Sequence, residues 1–438
     1  MTQLEQLKRA HLVGHLTPVS VWRLVLVIFL ICLAARSALG QSDSRAALIE
    51  EEREHKKAQL QRERASKFER RLVYIERNRI LERARSGLNG LRLKWGGLPS
   101  GGGFAIGPEY VRDDLLLGQM NFRLSTVVST KVFEKYDFNL RFPKLANKRL
   151  FVDFYSAHRN YPQMQFYGSG PDSEKGQRSN YRLEDTTSDI ALGLRPFKLL
   201  TLGGAAGYVW TNVGPGKSSI YISTEQQFTP AQAPGINRQT DFFRYGGFAQ
   251  VDYRDDPLGP RKGGNYLVQY TWYDDRKLGV FDFRRLDVTL EQYVPFFNKR
   301  RVLAFRARTV LTNSGAGQVI PFYMQPTLGG GNDLRGFRPF RFSDKNSADL
   351  TAEYRWEAFS GLDMAIFFDA GKVFARRGEL NFANMEGSGG FGLRFNVRNR
   401  TFIRMDFAWS HEGLQFWFKF NDVFRPRRVG TAGAQPFF

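Results

Sequence analysis

The sequence predicts an all-β fold: a transmembrane β-barrel of about sixteen antiparallel strands behind a charged, helical N-terminal arm. Residues 347–371 carry the first observation. Leu350, Ala352, Tyr354, Trp356 and Ala358 alternate with Thr351, Glu353, Arg355 and Glu357, and Leu362, Met364, Ile366 and Phe368 repeat the rule against Asp363 and Asp369. Period two sends each parity to its own face, so one face is apolar and aromatic and the other charged. Second, strand-length alternation recurs from about residue 101 to Phe424 without a long helical pattern. Third, the polar parity mixes both charge signs on strand after strand. A soluble sandwich or propeller would have to bury those charges in a dry core at a prohibitive cost. Lipid outside and water inside resolves the conflict.

The elements follow in order. The 438-residue chain is 42% hydrophobic with a mean hydropathy of −0.40, too polar for a bundle of transmembrane helices. Its one membrane-like apolar run, Leu24 to Ala34, is short for a span. It follows Lys8, Arg9 and Arg23 and precedes Ala38-Leu39-Gly40, a small-residue cleavage site. Residues 1–40 therefore read as a signal peptide for export, with an uncleaved anchor helix as the alternative. The single cysteine, Cys32, lies within that segment, so the mature chain is expected to have no disulfide framework and no cysteine-based metal site. A formal charge of +21 asks for an anionic partner. An exported strand-rich chain rarely meets nucleic acid, so none is expected. A basic lumen, or basic rims facing anionic lipid headgroups, accounts for the charge.

Residues 41–95 are dominated by Glu, Lys and Arg, with Phe68, Leu72, Ile75 and Ile80 as a thin apolar stripe at helical spacing. This arm is expected to be periplasmic and either helical or disordered, docking in the barrel mouth or standing free in solvent. Gly90, Gly96, Gly97 and Gly101-Gly102-Gly103 mark the switch into the barrel, residues 101–424. Leu150, Val152 and Phe154 alternate around Asp153, and Tyr266, Val268, Tyr270 and Trp272 around Gln269 and Thr271. Ile403, Met405, Phe407 and Trp409 enclose Arg404 and Asp406, and Leu414, Phe416, Phe418 and Phe420 enclose Gln415 and Lys419. Trp210, Trp272, Trp356, Trp409 and Trp417 suit interfacial girdles. Segments 168–180, 212–237 and 313–320 are rich in Gly, Pro and Ser and read as exposed loops.

No catalytic reading stands out. His11, His15, His55, His158 and His411 lack ligand spacing with other strong ligands in the barrel, and Asp255-Asp256 and Asp274-Asp275 read as turn residues. No enzyme activity and no cofactor are expected. The glycine-rich segment Gly329-Gly330-Gly331-Asn332-Asp333-Leu334-Arg335-Gly336-Phe337 falls between strands eleven and twelve. With no Lys-Ser/Thr pair and no following helix it does not read as a phosphate cradle. Strand twelve offers Glu353 to the lumen and strand thirteen offers Phe367, Asp369 and Gly371 on the same parity. A loop carrying one cation can fold in and be pinned by such carboxylates, each bond being modest in a wet lumen and stronger where Phe337 and Phe367 exclude water.

Leu334-Arg335-Gly336-Phe337 resembles the (V/I/L)-R-G-(F/Y) signature of the Omp85 superfamily, the BamA/TamA-like or surface-antigen D15 barrels. Phe367-Phe368-Asp369-Ala370-Gly371 is similar to that family's F-x-D-x-G strand motif, and the two stand in the family's order, in the loop between strands eleven and twelve and on strand thirteen. Phe166-Tyr167-Gly168-Ser169-Gly170 and Asp256 to Gly263 resemble the family as well. The resemblance implies that Arg335 lies inside the barrel and pairs with Asp369, with Glu353 as second partner. It further implies insertion, assembly or translocation of client polypeptides at the bacterial outer membrane. A glycine-rich first strand (Gly102, Gly103, Gly107) would meet the last strand, Leu414–Phe420, at a weak seam. Glu412, Gly413, Phe416 and Phe418 resemble an outer-membrane assembly signal. The charged arm does not resemble the family's POTRA modules, so a separate periplasmic factor joins the candidate partners. Pro426 should end the ladder, leaving a tail, 425–438, that hangs out or enters the lumen. A passive or anion-favouring pore, or a surface-exposed binding barrel, are the alternative functions.

Overall fold

The computed structural model describes residues 89–420 apart from 298, 360, 398 and 399, together with Glu50, Asp422 and Phe424. The signal segment, the arm up to residue 88 and the tail 425–438 lie outside the described residues, Glu50 excepted.

Among the described residues the alternation becomes eighteen strands in two sheets. They are β1 (Leu91–Trp95), β2 (Ala105–Asp114), β3 (Met120–Ser129), β4 (Glu134–Lys144), β5 (Leu150–Phe166) and β6 (Ser179–Leu194). There follow β7 (Leu200–Pro215), β8 (Phe242–Asp252), β9 (Gly263–Asp275), β10 (Phe283–Phe296), β11 (Arg301–Ser314), β12 (Thr327–Leu328) and β13 (Phe342–Ser343). The last are β14 (Asn346–Phe359), β15 (Leu362–Phe374), β16 (Glu386–Val397), β17 (Arg400–Ser410) and β18 (Gly413–Lys419). Sixteen of them form one antiparallel sheet in chain order, β1 to β11 and then β14 to β18, while β12 and β13 form a separate two-stranded sheet inside the long connection between β11 and β14.

The two faces are inverted relative to a soluble sheet. On β14 the polar parity from Asp349 to Arg355 is buried, with Glu353 at 1% exposure, whereas Ile366 and Phe368 on β15 stand 55% and 57% exposed. Charged groups go inward and large apolar groups outward, as lipid contact demands. One end of the sheet is closed by tight turns. Leu115–Gly118 and Leu145–Lys148 each carry three consecutive residues, Leu116 to Gly118 and Ala146 to Lys148, through the left-handed region, and the bridges Leu115 to Met120 and Leu145 to Leu150 close each reversal over four residues. The β8–β9 turn includes Asp255, whose carboxylate accepts the backbone N–H groups of Asp256, Arg261 and Lys262.

Long loops occupy the other end and fold inward. Phe228, Ile320, Phe322, Tyr323 and Met324 from these loops pack on Phe166, Tyr181, Phe242 and Phe283 from the inner wall. Gly170 N–H donates to the Ser343 carbonyl at 2.7 Å, and Arg341 ties Glu412 to Ser173 at 2.6 and 2.9 Å. That end therefore carries an apolar, cross-braced cap.

The edges of the sheet differ from expectation. The first strand is β1, formed from the residues that were expected to end the charged arm. The Gly102 and Gly103 stretch is instead part of the hairpin loop 96–104, and only Gly107 lies in a strand, β2. Gly107 has a packing reason: a Cβ there would come within 1.9 Å of the Thr126 carbonyl oxygen. Among the described residues no backbone ladder joins β1 to β18. Their ends meet through rings, with Phe420 5.8 Å from both Trp95 and Phe104.

Candidate functional site: a buried, ion-paired loop

The loop between β11 and β14 is shaped by its own residues. Gly329 and Gly330 adopt φ of +115° and +107°, which only glycine takes without strain. Asp333 Oδ1 accepts the N–H groups of Gly329 and Leu334 at 2.8 and 2.7 Å, closing a turn that presents Arg335. Leu334 and Phe337 are buried with Leu328, Phe342 and Val373. Two apolar side chains thus seat the loop on either side of its cation.

Arg335 is fully buried. Its Nε and Nη2 donate to the two oxygens of Asp369 at 2.8 and 2.7 Å, and its backbone N–H donates to the same carboxylate at 3.2 Å. Nη1 donates to Glu353 Oε1. The guanidinium plane lies 3.4 Å from the centre of the Phe367 ring. Such a fork-to-carboxylate pair combines charge with fixed geometry. Strand register sets it up: Glu353 faces Phe367 and Thr351 faces Asp369 between β14 and β15, so both carboxylates come to one patch of inner wall.

The charged part of the site extends beyond the expected Arg335, Glu353 and Asp369. Arg394 on β16 bridges Glu353 and Asp406 at 3.2 and 2.5 Å, Arg404 on β17 meets Asp406 at 3.2 Å, and Arg355 joins Glu353 to Asp422 at 2.7 and 3.0 Å. Four guanidinium groups (335, 355, 394, 404) face four carboxylates (353, 369, 406, 422), a neutral network. Neutrality is what burial requires, because an unpaired buried charge costs several kcal/mol. Instead of the wet lumen expected here, Arg335, Asp369 and Asp406 have no exposed surface. Arg404 and Asp406 were legible as inward-facing from the alternation of β17, but their partners depend on register and loop placement. Trp417, expected in an interfacial girdle, is instead buried against this loop, and Ser100 gave no sequence signal.

Those last two tie the loop to both edges of the sheet. Trp417 Nε1 on β18 donates to the Arg335 carbonyl at 2.6 Å, and Ser410 Oγ on β17 donates to the Gly336 carbonyl at 2.7 Å. Past β1, the Ser100 hydroxyl oxygen accepts the Gly331 N–H at 3.3 Å and the Lys419 ammonium at 2.9 Å. Of the residues expected at the seam, Gly413 opens β18, while Phe416 and Phe418 point outward. Phe416 packs on Phe407 at 4.9 Å, and Phe418 on Phe420 at 5.2 Å.

Two motif glycines are explained by close approach. A Cβ at Gly336 would lie 2.5 Å from Ser388 Cβ and 2.9 Å from both Ser410 Cβ and the Trp409 carbonyl. At Gly371 it would come 3.0 Å from Leu328 Cδ1. Gly336→Ala is therefore expected to lift the loop and destabilise the fold by about 1–3 kcal/mol, read as a lower melting temperature of the heat-modifiable band on a gel; Gly371→Ala should cost less.

A protein-family model described as the Omp85 superfamily domain matches residues 117–421. No curated protein matches the sequence. Among solved structures the fold is similar to BamA from Haemophilus ducreyi lacking POTRA domains 1–3, with a TM-score of 0.56 and 14% identity over 76% of this chain and 70% of that one. It is also similar to CdiB from Escherichia coli, with a TM-score of 0.51 and 13% identity over 76% of this chain and 60% of that one. At such identities the likeness is one of fold. The family match spans well over half of the chain and contains both signature segments, and the chain belongs to the Omp85 superfamily as an Omp85-type outer-membrane barrel.

Proposed function

We propose that this barrel inserts or translocates polypeptide at the outer membrane, with the clasped loop holding the wall beside a seam that opens. One observation carries the reading: the edges β1 and β18 share no ladder among the described residues and meet through rings and the Ser100 clasp. An edge strand with unpaired N–H and C=O groups is a template for another strand. Side-chain contacts between edges separate at far lower cost than a full ladder. The inward loop bonds to the last strand and to the segment after the first, so its position and the state of the seam are linked. Arg335, Glu353 and Asp369 act here as a structural lock rather than as chemical groups.

In this reading the chain is exported by a cleaved signal peptide and sits among outer-membrane lipid and lipopolysaccharide. Its partners are client polypeptides and a separate periplasmic factor. The test is reconstitution in liposomes. The barrel is expected to speed the folding of a second, unfolded outer-membrane barrel at least tenfold over empty liposomes. Steady ion conductance with no acceleration would overturn the reading in favour of an anion-favouring pore.

A further inference from the structure

After β18 the chain turns inward. Asp422 accepts both terminal nitrogens of Arg355, at 3.1 and 3.0 Å, and the Thr401 hydroxyl at 3.4 Å. Asp422 Oδ1 also accepts the Phe424 N–H at 3.0 Å, which fixes the two side chains relative to one another. Phe424 is 2% exposed and packs with Tyr293, Val302 and Ala304. Its ring meets Tyr293 edge-on at 5.9 Å and lies 5.1 and 4.9 Å from the guanidinium carbons of Arg306 and Arg355. Tyr293 and Val302 flank the tight turn between β10 and β11, so the pocket opens at the short-turn end, the periplasmic end of such barrels.

A carboxylate site and an aromatic site thus stand side by side. Their walls come from β10, β11, β14 and β17, and two side chains from beyond the last strand, Asp422 and Phe424, fill them. Without them, Glu353 would be the one carboxylate left on Arg355 among the described residues, and the ring slot would be an apolar cavity roofed by two cations, a favourable seat for an aromatic ring. We propose that this is a peptide-recognition pocket whose ligand is a polypeptide segment with a carboxylate two residues before an aromatic side chain, and that Asp422 and Phe424 occupy it as a tethered stand-in. The proposal rests on the reading of the barrel as a handler of polypeptide and names what that barrel recognises.

The network explains why the ligand must be acidic. Arg355 also donates to Glu353 at 2.7 Å, and Glu353 holds Arg335. A client carboxylate that replaces Asp422 preserves the balance of charge and leaves the loop clasped. An aromatic segment without a carboxylate leaves a cation uncompensated in a buried site.

A tethered ligand competes at an effective concentration on the order of millimolar, so a free peptide should bind the unaltered chain weakly. The probe is fluorescein-labelled Lys-Phe-Asn-Asp-Val-Phe amide, read by fluorescence anisotropy on the full chain in detergent micelles. Asp422→Asn/Phe424→Ala is expected to bind it at least tenfold more tightly than the unaltered chain. Adding Arg355→Gln should abolish the gain, and a control peptide with Asn and Ala at the two key places should bind no form. Heat-modifiable mobility selects folded barrels, and Phe424→Ala alone, which keeps the charge balance, provides a second variant with a smaller expected gain. Equal binding by the altered and unaltered chains, or by the probe and control peptides, overturns the pocket. Assaying insertion on the same preparations separates the two readings. Insertion without any gain in peptide binding sinks the pocket alone, and binding without insertion sinks the proposed function.

Discussion

Arg335→Glu is expected to lower the unfolding temperature of the barrel more than any other single change in the loop. It removes a guanidinium that satisfies both oxygens of Asp369 and one of Glu353, and it puts a third carboxylate in their place. The neutral set of four cations and four anions becomes three against five, with no exposed surface on Arg335, Glu353 or Asp369 side chains to admit screening water. Breaking a buried pair costs about 3–5 kcal/mol. The measurement is the temperature at which the compact band converts to the unfolded band on a gel. Asp369→Arg in the same chain should recover part of the loss, because a cation again faces the loop, but not all of it, because the fork geometry and the stack on Phe367 are gone. An unchanged melting temperature in both variants would count against the lock.

Cross-linking the seam is the second large effect. A Cβ built at Gly96 would lie 3.5 Å from Phe420 Cβ, within the spacing that a disulfide spans. Gly96→Cys/Phe420→Cys is therefore expected to close a covalent bridge between the two edges under oxidising conditions. Gly96 has φ of +67°, so the new side chain costs about 1–2 kcal/mol, small against a typical stability of about 5–15 kcal/mol. The only native cysteine, Cys32, lies in the stretch expected to be removed on export. The oxidised form should lose tenfold or more of its insertion rate in liposomes and regain it on reduction, with each single-cysteine variant insensitive to oxidant. Full activity in the oxidised form would show that the edges need not part.

Much of this could be read before folding. Glu353, Phe367 and Asp369 declared their face by parity, and Arg335 stood out as the one cation in a glycine-rich loop. The place of that loop, just before the two alternating runs that carry the buried carboxylates on one parity, followed from the sequence. Other features were hidden for identifiable reasons. β1 is five residues long and sits behind a charged arm, so its alternation was too short to detect. Ser100 lies in a glycine-rich hairpin loop, and nothing local distinguishes it from a solvated serine. Trp417 suited a lipid-facing girdle by type, yet its parity with Gln415 and Lys419 sends it inward to the Arg335 carbonyl.

The sequence by itself determined which chemistry faces lipid and which faces the lumen, because period two is a property of the backbone of a single strand. Only the tertiary structure decided which cation meets which carboxylate, that Asp422 completes the buried network, and that the edges meet, among the described residues, through side chains rather than a ladder. Those facts depend on register between strands and on where loops and chain ends fold back. They are set by contacts between residues far apart in the chain, such as Ser100 and Lys419 or Arg355 and Asp422.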